Sequence, residues 1–341
     1  MAECNQPNTM RMDEDSDDIY ANKRAKSAVV MPATTVPGME SLPRVVLDCV
    51  LAFAGHDELH AIEQVCRALH TTVRCDHLWE KLARHIAVFM EDEAPTDLLG
   101  WKDLVCLISR PRDRSVGVLG DVVAVSSTDR PVEKPTNTLQ PSRCWLAIRT
   151  SMDRLLAADQ VPTEEEATKI AKNAQFECGC DVGDACYWST KPSTDQATHD
   201  FIEYTIHPMS LVSRLQIVPY RAYWHPESPT YGPMAMSASF YVRHNPTNGE
   251  EPHEVLLYQS PEFPLVNEME LQEFELPQHV WLPNGAILKL NFLGRHQAET
   301  FELPGFVPPE EQVPNYYTSV SYVAAVGTNA TPSYTHESYH H

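Results

Sequence analysis

The stretch Ser41-Leu-Pro-Arg-Val-Val-Leu-Asp-Cys-Val-Leu-Ala-Phe-Ala-Gly55 decides how the N-terminal part of this chain is read. Leu42, Val45, Val46, Cys49, Val50 and Phe53 fall at i, i+3, i+4, i+7, i+8 and i+11, one face of a helix. Ser41 suits an N-cap, Pro43 is tolerated in a first turn, and Gly55 ends the run. Beyond it, Asp57 caps a second predicted helix that carries Leu59, Ile62, Val65, Cys66 and Leu69 on its apolar side. Asp76 caps a third, with Leu78, Trp79, Leu82, Ile86 and Phe89 at helical spacing. A fourth set, Leu98, Trp101, Leu104, Val105 and Ile108, stops before Pro111.

Further along, the apolar period changes from 3.6 to two. Met234, Met236, Ala238, Phe240 and Val242 alternate with Ala235, Ser237, Ser239, Tyr241 and Arg243, as in a half-buried strand. Leu288, Leu290 and Phe292 alternate with Ile287, Lys289 and Asn291 in the same way. Asn284-Gly285, the preferred pair for a two-residue turn, stands between Val280-Trp-Leu282 and the run 287–293, and predicts a hairpin. Other strands are expected at 122–126, 201–206, 212–219, 255–258, 271–276 and 316–326. Short strands without intervening helices point to a sandwich or jelly roll. The stretch 145–172 breaks the pattern, because Glu164, Glu165 and Glu166 precede Lys169 and Lys172, and reads as a helical insertion. The predicted class is α+β and multidomain. A hook occupies 39–90, a linker helix and connection 91–120, and an antiparallel sandwich 121–327, with the insertion near 145–175. Residues 1–38, polar and acidic, have the composition of a segment unable to offset its ordering entropy, and 328–341 reads as a flexible tail.

Composition narrows the function. A net charge of -21 repels phosphate backbones and anionic lipid, so neither nucleic-acid nor membrane binding is expected. Lys23-Arg-Ala-Lys26 is a short basic cluster, readable as a nuclear import signal or as a solvated tail. Apolar stretches such as 45–54 fall short of a membrane span, and the acidic start lacks the basic and apolar regions of a secretory leader. A cytoplasmic or nuclear protein is expected. The nine cysteines are odd in number and scattered, unlike a disulfide framework, and are read as reduced thiols.

Leu42-Pro43, the apolar runs through Val50 and Leu59, Val65-Cys66-Arg67 and Leu78-Trp79 together resemble the F-box. That resemblance implies docking on the Skp-type adaptor of a cullin-based SCF ubiquitin ligase. The implied adaptor-binding residues are Leu42, Pro43, Val46, Val50, Phe53, Leu59, Val65, Cys66, Leu69, Leu78 and Trp79. A hook this small cannot enclose all its apolar side chains, so part of these faces must find a partner. Val45 stands where an acidic residue often follows Leu-Pro, and Leu69 where a Trp often follows Val-Cys-Arg. Ser126-Ser-Thr-Asp129, Tyr187-Trp-Ser189, Tyr258-Gln-Ser-Pro-Glu-Phe-Pro264 and Leu293-Gly-Arg295 resemble a plant and algal group of F-box proteins with a galactose-binding-like β-sandwich. The chief departures are insertions at 145–175 and 297–314.

Within the sandwich the candidate recognition loop is 220–231, whose Tyr223, Trp224, His225 and Tyr231 could stack on a sugar or peptide side chain, or simply pack. Trp188 reads as core. Cys178-Gly-Cys180 with Cys186, and His199 as a fourth ligand, is the one metal-like grouping, but its spacing fits no standard knuckle and no metal or cofactor is expected. No Gly-x-Ser-x-Gly, His-Glu-x-x-His or phosphate-loop pattern sets a histidine beside a nucleophile, so a non-catalytic protein is expected. Two readings stay open. One is a ligase substrate receptor that captures an unidentified protein, modified or not. The other is a lectin-like ligand-binding protein recruited to no ligase.

Overall fold

Extended backbone at Pro43 leads into α1 (Arg44–Leu51), a position where the missing proline N–H costs no helical hydrogen bond. The computed structural model describes residues 42–89, 100–109, 116–180, 182–244, 253–300 and 313–329. The expectations for 1–38, Ser41, Leu98, Pro111 and the segment beyond 329 lie outside these residues. After α1 come α2 (His56–Glu63), α3 (Arg67–Val73) and α4 (Asp76–Ile86). Gly55 and Cys75, in place of Asp57 and Asp76, are the capping residues; the two aspartates sit inside the first turns, where they complement the helix dipole.

The single helix expected over 57–69 is broken into α2 and α3. Cys66 adopts extended backbone, with φ -157° and ψ 165°, and restarts the chain. Ten residues of straight helix at about 100° each would swing Leu69 roughly 80° away from the face of Leu59. The break lets both enter one core. Leu47, Leu51, Leu59, Leu69, Val73, Leu78 and Trp79 pack there with Trp101, Leu104 and Val105 of α5 (Trp101–Ile108). The Trp79 indole N–H donates to the Val73 carbonyl at 2.7 Å, so the largest buried side chain of the hook keeps its polar atom satisfied. The predicted linker helix is thus part of the hook.

The remainder is a sandwich of two six-stranded sheets among the described residues. One sheet runs in the order β1 (Ala87–Val88), β10 (Gln272–Leu282), β6 (Ser210–Pro219), β12 (Ser319–Asn329) and β2 (Val116–Gly117), with β4 (Trp188–Ser189) also on β12. The other runs β3 (Leu119–Val125), β5 (His199–Ile206), β11 (Ala286–Arg295), β7 (Pro233–His244) and β8 (His253–Gln259), with β9 (Phe263–Pro264) also on β7. Met236, Ala238 and Phe240 of β7 stand beside Phe292, Leu290 and Leu288 of β11 on the inner face of one sheet, all in the core of the sandwich, as their alternation predicts. The sandwich begins at Val116, ahead of the expected 121, because β2 pairs with the last strand.

The hairpin reading of Asn284-Gly285 is corrected. Gly285 does adopt positive φ (82°), but the turn carries the chain from β10 in one sheet to β11 in the other. At its end β10 is already flanked on both sides, since Val280 pairs with Val212 of β6 and with Val88 of β1. No edge remains for β11.

The insertion forms two helices, α6 (Arg143–Ala157) and α7 (Glu164–Cys178). Thr163 and Glu166 make a reciprocal capping box at the start of α7, and Gly179, with φ 82°, closes it in the left-handed conformation. The hook is fixed to the sandwich by β1, which pairs parallel with β10 (Ala87 to His279, Val88 to Val280). Leu211 and Trp281 complete the hook's core from the sandwich side.

Candidate functional site

The loop after β6 turns back on itself at Tyr220-Arg-Ala-Tyr-Trp-His225, so its aromatic side chains meet residues from the loop after β3 and from the approaches to β4 and β12. They enclose a cavity of about 340 Å³ lined by Arg130, Glu133, Tyr187, Tyr220, Trp224, His225, Tyr231 and Tyr317. Tyr187 stacks on Tyr220 with ring centroids 3.7 Å apart. Trp224 meets His225 edge-on at 3.9 Å and donates its indole N–H to the Tyr220 hydroxyl at 3.3 Å. The Tyr231 hydroxyl and His225 Nδ1 lie 2.9 Å apart. The walls are therefore rigid and aromatic, with their polar atoms turned inward or paired.

Glu133 supplies the polar floor. It is 2% exposed, and its Oε1 accepts from Arg130 Nε (2.8 Å) and from the Tyr187 hydroxyl (3.0 Å). Its Oε2 is buried and meets no hydrogen-bond donor among the described residues. A buried acceptor without a donor is costly, and a ligand hydroxyl or N–H would relieve it. Burial, aided by Arg130, holds His225 down to about 4, so its ring is neutral at pH 7. Burial, reinforced by Glu299, pushes Tyr317 up to about 12 and raises Tyr231; burial and Glu133 raise Tyr187. Neutral phenols and a neutral imidazole beside the Glu133 carboxylate make a hydrogen-bonding pocket, which Asp129 and Glu299 also line.

Three of the four predicted recognition residues, Trp224, His225 and Tyr231, line this cavity. Tyr223 does not: the Arg221 guanidinium covers its ring at 4.9 Å, and its backbone N–H donates to Gln175 Oε1 at 2.9 Å. Gln175, on α7, also donates to the Arg221 carbonyl, so the insertion props up the aromatic loop. Sequence reading missed Glu133, Arg130, Tyr187 and Tyr317, which come from remote loops. The only signal was that Tyr187 adjoins Trp188, which is core as expected.

The hook residues divide into two groups. Leu59, Leu69, Leu78 and Trp79 are buried in the hook's own core, so their assignment as contact residues is corrected: they shape the surface and do not form it. Leu42, Pro43, Val46, Val50, Phe53 and Val65 are exposed, and Cys66 is half-buried. On α1 the side chains turned inward are Leu47 and Leu51.

Four of the cysteines converge in space, while Cys49, Cys66, Cys75 and Cys106 lie apart from them in the helical hook. Cys144, at the start of α6, meets Cys178, Cys180 and Cys186, and all four Sγ atoms lie within 4.8 Å of one another. His199, the fourth ligand considered from sequence, is exposed on β5, far from serving that role. Other motif residues prove structural. Ser126 Oγ donates to Asp200, which pairs with Arg295, and the Trp188 indole donates to the Ser127 carbonyl at 3.0 Å.

No protein-family model and no curated protein matches the chain. Among solved structures it is similar to a family 32 carbohydrate-binding module of a family 31 glycoside hydrolase from Clostridium perfringens, at 7% identity and a TM-score of 0.34 over 63% of this chain and 96% of that one. It is also similar to a pectin-binding carbohydrate-binding module, at 10% identity and a TM-score of 0.28 over 64% of this chain and 95% of that one. A family 32 module from C. perfringens in complex with galactose aligns at 11% identity and a TM-score of 0.24, over 41% of this chain and 75% of that one.

Proposed function

We propose that this chain is the substrate receptor of an SCF-type cullin-RING ubiquitin ligase, a non-catalytic subunit whose hook docks on the Skp-type adaptor and whose sandwich captures the target. The observation that carries this reading is the outer face of α1. Phe53, just past its end, is 93% exposed, Val46 and Val50 are each 44% exposed, and Val65 between α2 and α3 is 69% exposed. These side chains contribute nothing to the hook's interior, which Leu47 and Leu51 already seal. Exposed apolar side chains in this number on a small helical unit call for a protein partner, and the F-box motif order suggests its class.

The cavity supplies the second half of the reading. Its aromatic walls and the unpartnered Glu133 Oε2 suit a ligand with an apolar face and hydroxyl or N–H donors, such as a sugar or a modified side chain on the target protein. Ubiquitin transfer would be performed by the other subunits.

Co-purification of full-length chain with adaptor and cullin tests the docking surface. Replacing Val50→Asp and Phe53→Asp together should abolish adaptor recovery while leaving thermal unfolding unchanged. Undiminished recovery from a folded double variant would sink the reading.

The cavity also favours a second reading, a lectin-like protein recruited to no ligase. A glycan array with the full chain and its Trp224→Ala variant separates the two. Sugar binding lost in the variant, with no adaptor recovered by the wild type, selects the lectin. Sugar binding together with adaptor recovery selects a glycoprotein-directed receptor.

A further inference from the structure

Beside the cavity, three sequence-remote pieces of chain bring their cysteines to one buried point. Cys144 is the second residue of α6, Cys178 the last of α7, and Cys180 and Cys186 lie on the loop that leads to β4. Relative exposures of 0, 7, 1 and 9% put all four out of water. The Sγ separations are 3.4 Å for Cys144 and Cys186, 3.8 Å for Cys144 and Cys180, and 2.8 Å for Cys180 and Cys186. Ordinary buried cysteines behave as small apolar residues and have no reason to seek each other. Here four thiols have mainly one another as polar company.

We infer that Cys144, Cys178, Cys180 and Cys186 form a closed four-thiolate site for a structural zinc ion. Four Zn–S bonds of about 2.3 Å arranged tetrahedrally set the sulfurs about 3.8 Å apart. The two separations involving Cys144 are near this value, and seating the ion parts Cys180 from Cys186 by about 1 Å. The soft, all-sulfur ligand set selects zinc over magnesium, calcium or manganese. With four protein ligands no coordination position is left for a substrate, so the ion's role is structural.

The surroundings suit a centre that carries net negative charge. Cys144 lies at the N-terminus of the fifteen-residue α6, whose dipole favours a thiolate. The Arg143 guanidinium approaches from outside, donating to the Cys178 carbonyl at 3.2 Å and to Asp184 at 2.8 Å. Gly179 and Gly183, at φ 82° and 109°, let the loop between Cys178 and Cys186 curl tightly enough to present both ends.

The ion would add a covalent tie to a buried cluster that already joins these segments through Trp145, Ala174, Tyr187 and Tyr220. It would clamp the ends of α6 and α7 to the strand approach that continues directly into Tyr187, the residue stacked on Tyr220 in the cavity wall. The insertion, which reads as an ornament on the sandwich, becomes a metal-pinned buttress for the binding cavity.

Metal analysis of the full chain, purified under a non-thiol reductant and without chelators, tests this. The expected result is about one zinc per chain. Exchange with cobalt(II) should produce intense thiolate-to-metal charge-transfer absorption with the d–d bands of a tetrahedral site. Cys180→Ser should lose the bound metal, and Cys49→Ser, on exposed α1, should keep it. If Cys180→Ser does not fold, the cobalt spectrum of the wild type decides alone. Wild type that takes up no zinc from a zinc-supplemented buffer overturns the inference. So does a Cys180–Cys186 disulfide in protein taken from its native source, or full metal retention by folded Cys180→Ser.

Discussion

Asp200 and Arg295 form an ion pair inside the sandwich, at 4% and 2% exposure, with Arg295 Nε 3.1 Å and Nη2 3.0 Å from Asp200 Oδ2. They stand at the same end of neighbouring strands, β5 and β11. Ser126 Oγ adds a third donor to the carboxylate at 3.1 Å, and the guanidinium also reaches the Lys191 carbonyl. Removing one partner strands a buried charge. Arg295→Met and Asp200→Asn should each lower unfolding free energy by about 3–5 kcal/mol in urea titrations. The double variant should cost clearly less than the sum, because it removes both charges at once.

Leu51 and Phe53 sit two residues apart at the end of α1 and should respond oppositely. Leu51 is 1% exposed within the hook core, and Leu51→Ala should cost about 2–4 kcal/mol. Phe53→Ala should move stability by no more than about 0.5 kcal/mol. Equal losses in chemical denaturation would mean that Phe53 is covered in solution by this same chain.

Trp281, on β10, is buried at 2% among hook residues. Trp281→Ala should cost about 3–5 kcal/mol and loosen the hook from the sandwich. Limited proteolysis between the two should accelerate in the variant, whereas uniform protection would refute a shared core.

His225 gives the stability a pH dependence with a definite sign. Its folded value of about 4 lies below the ordinary 6.5, so between these the unfolded chain binds more protons. The stability tied to its neutral ring is complete above about pH 6.5 and is lost as pH falls toward 4. The ring is partly exposed, and solvent screening brings its share to about 1–2 kcal/mol. Urea unfolding of wild type and His225→Gln at neutral pH and at about pH 5 checks this, and the variant should show the shallower slope.

Much of this protein is legible residue by residue. The period-two stretches became strands β7 and β11 and the glutamate-led insertion became helices, but the apolar positions that spacing marked on α1, Val45, Val46, Cys49 and Val50, are exposed, while Leu47 and Leu51 are buried. What spacing could not show was which apolar face of α1 would be inside. Both faces of Arg44–Leu51 carry leucine or valine, and only the packing of the other hook helices made Leu47 and Leu51 the buried pair.

The cavity shows the same limit. Trp224, His225 and Tyr231 could be singled out because they are neighbours in sequence. Glu133 and Tyr187 could not, since nothing local marks a glutamate after β3 as buried or a tyrosine before β4 as a wall. Asn284-Gly285 is the converse case. Its positive-φ chemistry was read correctly, but whether a tight turn joins partners in one sheet depends on the free edges at that point, and β10 had none.

The sequence by itself determined that helices come first and alternating strands follow, because periodicity and turn chemistry act over a few residues. Only the tertiary structure decided the rest. It joined Cys144 to cysteines more than thirty positions away, left Glu133 Oε2 buried with no donor among the described residues, and turned Phe53 to solvent. Each depends on where distant backbone segments come to rest, which is set by the packing of whole sheets and helices and by no local pattern.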